Sequence, residues 1–112
     1  MRWLKLHVGG QLWTVDVVRA AHPDLDDGEG VCLFEKCRIL ISRDLSPEAR
    51  DETLLHELLH AAMHVSGARK TVHGLAEAAG GEGDEAEERF VRGLTPVLHR
   101  LFRDMGFVFP RR

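Results

Sequence analysis

The chain has 112 residues, 44% hydrophobic and 29% charged, which suits one soluble domain with a modest core. Its formal net charge of −3 and sequence pI of about 6.1 argue against a protein that grips nucleic acid or an anionic membrane through a basic surface. No apolar run reaches membrane-spanning length, and Met1 to His7 lacks the long apolar region of a signal peptide, so a cytoplasmic location is expected.

The first predicted element is a β-hairpin. Leu4 to Val8 alternates apolar and polar residues, Gly9-Gly10 interrupts, and Leu12 to Val18 resumes a β-rich run. His7 reads as a strand surface residue. Ala21 to Gly30 is turn chemistry, and its aspartates lack the glycine placement and terminal Glu of an EF-hand loop, so a solvated loop is expected. A second hairpin follows, with Val31 to Phe34, a turn at Glu35-Lys36, and Cys37 to Ser42. Arg38, Leu40 and Ser42 alternate with Cys37, Ile39 and Ile41, so one face is the more buried. Cys32 and Cys37 do not have the Cys-x-x-Cys spacing. On facing strands they could pair, but free thiols are the expectation for a cytosolic chain.

Ser46-Pro47-Glu48 opens a helix, with Ser at the cap, Pro in the first turn and an acid beside the positive end of the dipole. It should run from about Pro47 to Ser66 and stop at Gly67. Inside it lies His56-Glu57-Leu58-Leu59-His60. Residues four apart sit one turn apart on the same helix face, so the two imidazoles can hold one Zn²⁺ with Glu57 beside it as general base. Leu54, Leu55, Leu58, Ala61, Ala62 and Val65 fall on one side of this helix. Thr53, His56, Glu57, His60 and His64 fall on the other, giving an apolar back and a ligand-bearing front. Residues 68 to 83 read as a flexible loop near the site. A last helix is expected from about Asp84 to Met105, with Gly106 as its stop. Phe90, Val91, Leu94, Val97, Leu98, Leu101, Phe102 and Met105 form its apolar stripe, and Pro96 predicts a kink or a break. The apolar tail, Phe107 to Phe109, is expected to fold back onto the core.

A catalytic zinc takes three protein ligands and keeps one position open. His64 cannot converge on the same ion as His56 and His60 from a straight helix. The metzincin extension is excluded, because Met63 and Ser66 stand where its glycine and third histidine belong. His73, Glu87 and Glu88 remain. Helical phase places Glu87 near the centre of the stripe of Val91, Leu94, Leu98 and Leu101, where a carboxylate is costly unless paired or metal-bound. The helix dipole accounts for Glu88 without a metal. Glu87 is therefore the expected third ligand, with Glu88 and His73 as alternatives. The chain has no Tyr to stabilise an oxyanion; His64, His73 and Arg69 are candidates that spacing does not separate.

Ile39 to Ile41, Leu45-Ser46-Pro47-Glu48, Thr53 to Ala61, and Glu87-Glu88-Arg89-Phe90-Val91 together resemble the small phage and prophage zincin-like metallopeptidases. These are compact relatives of the ImmA/IrrE and SprT-like groups, and the likeness spans roughly residues 30 to 106. Length makes residues 1–112 a single domain, and the likeness implies that it is a minimal zincin-like α+β fold, with the N-terminal hairpin the part less well matched. A short N-terminal antiparallel sheet of two hairpins would lie beside the motif helix and a C-terminal helix. It also implies a zinc site of two histidines and a glutamate, His56, His60 and Glu87, and hydrolysis of a protein or peptide substrate. The rival expectation is a non-catalytic scaffold that keeps its zinc to hold a partner in phage assembly or host interference.

Overall fold

Gly9 and Gly10 both take positive φ, 55° and 85°, the pair of left-handed conformations that a two-residue hairpin turn favours. In the computed structural model, which describes residues 1–111, they join β1 (Arg2–Val8) to β2 (Gln11–Val18) with Val8 opposite Gln11. The second hairpin pairs β3 (Gly30–Leu33) with β4 (Arg38–Ser42) around a single 3-10 turn, Phe34–Lys36. Both expected hairpins form. They meet through a parallel pairing of β2 with β4, so the sheet order is β1-β2-β4-β3 and the sheet is mixed rather than wholly antiparallel. Turn residues specify which neighbouring strands fold back on each other. They carry no information about which edge of one hairpin meets the other.

That join makes β4 an interior strand, and Ile39, Leu40 and Ile41 are all fully buried. On one face, Trp13, Val15, Ile39 and Ile41 pack with Leu54 and Ala61 of α1 (Pro47–Ser66). Each large apolar side chain withdrawn there is worth about 1.5–3 kcal/mol. Near the outer end, the buried Asp16 carboxylate is clasped by Arg2 at 2.8 Å and Arg38 at 2.6 Å, tying β1, β2 and β4 together. The α1 ends are as expected: Ser46 Oγ accepts the Ala49 N–H, and Gly67 stops the helix at φ 84°.

The expected loop is instead largely a helix, α2 (Ala68–Ala78). Gly67 closes α1 and opens α2. Val72, Leu75 and Ala76 recur at helical spacing and Ala, Leu, Glu, Lys and Arg dominate the segment, so the helix has a local cause that the loop reading overlooks; Gly74 in its interior weakens that signal, and no residue of α2 is buried. The last helix, α3 (Gly83–Asp104), runs through Pro96 as one element. The missing N–H leaves the Arg92 carbonyl without its helical partner at an exposed turn, where water can serve it. Its inward row is Glu87, Val91, Thr95 and His99, while Phe90, Val97, Leu101 and Met105 are about half or more exposed. The apolar stripe read from the sequence is therefore rotated from the face that packs. Of the tail, Phe109 reaches the core and meets the His99 ring, while Phe107 and Val108 stay exposed.

Gly9→Ala and Gly10→Ala both force alanine into positive φ, but only at Gly9 would the new Cβ also overlap Val65 Cγ1 near the end of α1. Gly9→Ala should lose more stability than Gly10→Ala in denaturant melts, by about 1–3 kcal/mol. Equal losses would mean that the hairpin turn does not press on α1.

Candidate metal centre

The helix α1 sets His56 and His60 one turn apart, ring centroids 5.1 Å from each other. Glu88 of α3 lies across them, with Oε1 2.9 Å from His56 Nε2 and Oε2 3.0 Å from His60 Nε2. The three residues offer ligand atoms that all lie within 4.8 Å of one another. Two imidazole nitrogens and a carboxylate oxygen are a donor set that suits zinc.

Glu87 is elsewhere. As helical phase predicts, it points inward and is only 4% exposed. Its Oε2 faces the other nitrogen of His60, Nδ1, at 2.5 Å. Its Oε1 accepts His73 Nε2 at 2.7 Å and forms an ion pair with Arg69 Nε at 2.9 Å, both from α2. The structure thus gathers Glu88, not Glu87, with the two histidines. The expectation rested on the cost of burying an unpaired carboxylate. Three side-chain partners meet that cost without a metal. Burial raises the Glu87 pKa, but His73, His60 and Arg69 outweigh it and hold the carboxyl below its usual range. Burial also pulls His56 down, despite the opposing pull of Glu88. That favours the neutral imidazole a metal requires.

Glu57 is buried beside the pair. The edge strand β3 can approach it because residue 30 has no side chain: a Cβ there would stand 3.3 Å from Glu57 Cγ and 2.7 Å from Thr53 Cγ2. Burial pushes the Glu57 carboxyl up to about 7, with His60 opposing and Glu88 adding to the rise. A cleft of about 920 Å³ opens over the group, with Gly30 and Cys32 on one side, Arg69 at one end, and Arg92 and Thr95 on α3. The Cys32 thiol is pushed well up by burial. Both cysteines are free; Cys32 stands opposite Ile39, while Cys37 sits in a left-handed turn, φ 48°, off the facing strand. His64 is exposed, its ring against Phe34 at 4.8 Å, and does not line the cleft.

The raised Glu57 pKa has a consequence for the metal-free protein. Below the unfolded value of 4.5 the group is protonated in both states, so no cost of burying its charge arises. As pH rises towards the folded value of about 7, the unfolded chain releases its proton first and folding loses stability. Metal-free Glu57→Gln should therefore gain on wild type between those limits, by on the order of 3 kcal/mol at pH 8. A difference that stays flat from pH 4 to pH 8 would mean that Glu57 ionises freely in the folded state.

Compared with protein families, the sequence has a match that spans most of this fold. The IrrE N-terminal-like domain, a peptidase family, matches residues 17–96, from β2 through the motif helix to Pro96 in α3. No curated protein and no solved structure matches the chain. With most of its length matched, motif helix and Glu87-Glu88 pair included, the chain belongs to the IrrE N-terminal-like family of metallopeptidase-type domains.

Proposed function

We propose that the chain is a zinc-dependent peptidase in which His56, His60 and Glu88 hold the metal and Glu57 is the general base. The observation that carries this reading is three converging ligand groups at a cleft, with the buried Glu57 carboxyl beside them. Among the described residues no fourth protein ligand joins the group, since His73 is engaged by Glu87 and His64 lies outside the cleft. An open position distinguishes a catalytic site from a structural one. That favours hydrolysis over a zinc-stabilised scaffold.

Zinc held by His56, His60 and Glu88 would supply Lewis acidity to the scissile carbonyl and to a water at the open position. Glu57 accepts the proton released by the attacking water and delivers it to the leaving amine. Its carboxyl is buried beside the ligand group, within reach of a water held at the open position. Glu87 fixes His60 by its Nδ1, which leaves Nε2 directed at the ligand position. A protein or peptide chain is the substrate class, lying in the cleft between β3 and α3.

The test compares zinc-loaded wild type with Glu57→Gln on an unstructured protein substrate such as casein. The variant should keep one zinc per chain and lose about 10²–10⁴-fold in rate. Glu88→Ala should lose both zinc and hydrolysis. A Glu57→Gln protein that cleaves as fast as wild type would overturn the mechanism.

A further inference from the structure

Attack on a peptide carbonyl leaves negative charge on its oxygen, and one positioned donor to that oxygen is worth about 10²–10³ in kcat. The chain has no Tyr for the task. Of the side chains that spacing nominates, His64 lies against Phe34 away from the cleft, and His73 Nε2 is committed to Glu87. Arg69 lines the cleft, but it is engaged on three sides: its Nε is 2.9 Å from Glu87 Oε1, its Nη2 is 3.4 Å from Asp84 Oδ1, and its guanidinium lies over the Phe34 ring.

Resting on the metallopeptidase reading, we infer that Arg92 is the oxyanion-stabilising catalytic residue. It follows Glu88 by one turn of α3 and lines the same cleft. Its Nη2 is 3.3 Å from Glu88 Oε1, the oxygen that lies 2.9 Å from His56 Nε2. The Arg92 cation therefore stands next to the ligand group. Its side chain is 76% exposed, and one contact with Glu88 leaves most of its five N–H donors free to meet a substrate. The residue that supplies the third ligand thus also positions the donor, since both project from successive turns of one rigid helix.

In the step itself, the water oxygen bonds to the carbonyl carbon, the C=O π pair moves to oxygen, and Glu57 takes the water proton. Arg92 donates hydrogen bonds to the new oxyanion and gives up no proton. When the C–N bond breaks, the pair returns to C=O and the amine takes the proton from Glu57. Arg92 is unchanged, and nothing outside the substrate and water is consumed.

A dipeptide phosphonamidate carries a tetrahedral anionic phosphoryl group where the oxyanion forms, so its affinity reports this contact without any turnover. Calorimetric titration of zinc-loaded wild type, Arg92→Gln, Arg92→Lys and Arg89→Gln, with zinc counted in each, makes the test. Arg92→Gln should retain one zinc and bind the phosphonamidate about 10²-fold more weakly, with Arg92→Lys recovering part of the loss. Arg89→Gln should match wild type, because Arg89 is 81% exposed, pairs with Glu85 and does not line the cleft. Wild-type affinity in Arg92→Gln would overturn the inference. If Glu57→Gln still blocks hydrolysis in that event, the peptidase reading survives and only the role of Arg92 falls.

Discussion

One buried carboxylate links the three helices. Glu87 projects from α3, meets His60 of α1 at one oxygen, and meets His73 and Arg69 of α2 at the other. A buried ion of this kind is tolerated only when its partners are complete, and removing one partner typically costs about 3–5 kcal/mol. Satisfying Glu87 therefore fixes the helices relative to one another. It also fixes where the next residue points. Successive side chains on a helix are turned by about 100°, so with Glu87 against Nδ1 of His60, Glu88 lies across the Nε2 atoms of His60 and His56. Two adjacent carboxylates address the two nitrogens of one imidazole. One can orient the ring while the other completes a ligand set.

The same arrangement explains why a mostly exposed helix such as α2 is held in place. It contributes no buried side chain, yet His73 and Arg69 reach Glu87, and Arg69 also lies over the Phe34 ring at 5.0 Å. The helix is held by polar contacts to the site more than by a hydrophobic face. On the opposite wall, glycine at position 30 lets β3 close against Thr53 and Glu57, and that closeness keeps Glu57 dry enough for its pKa to rise. The proposed base and the proposed ligands thus depend on different neighbours: the sheet edge sets the first, the helix trio the second.

The parts of this arrangement that were legible in the sequence are those with local causes. Ser46, Pro47 and Gly67 mark the ends of α1, and the four-residue spacing of His56 and His60 sets them on one face. Gly9-Gly10 marks the first hairpin. The parallel join of β2 to β4 was hidden because it depends on contacts between separate hairpins. The face of α3 was misread because its inward row contains polar residues that are satisfied internally. Thr95 Oγ1 donates to the Val91 carbonyl at 2.7 Å, and His99 packs on Phe109. Glu87 shows the limit of phase arguments: the inward direction was readable, but its partners were not, because two of them lie on α2, and its docking beside α3 is a tertiary contact that no local pattern specifies. Arg92 was passed over for a related reason, since its closeness to the ligand group follows from the placement of Glu88.

The claim on which the rest turns is the division of labour between Glu87 and Glu88. An anomalous difference map at the zinc edge, from crystals grown with zinc, tests it most directly. The account predicts one peak bounded by His56 Nε2, His60 Nε2 and a Glu88 oxygen, with ligand distances of about 2.0–2.2 Å and Glu87 still on His60 Nδ1. A peak coordinated by Glu87, with Glu88 turned to solvent, would contradict it.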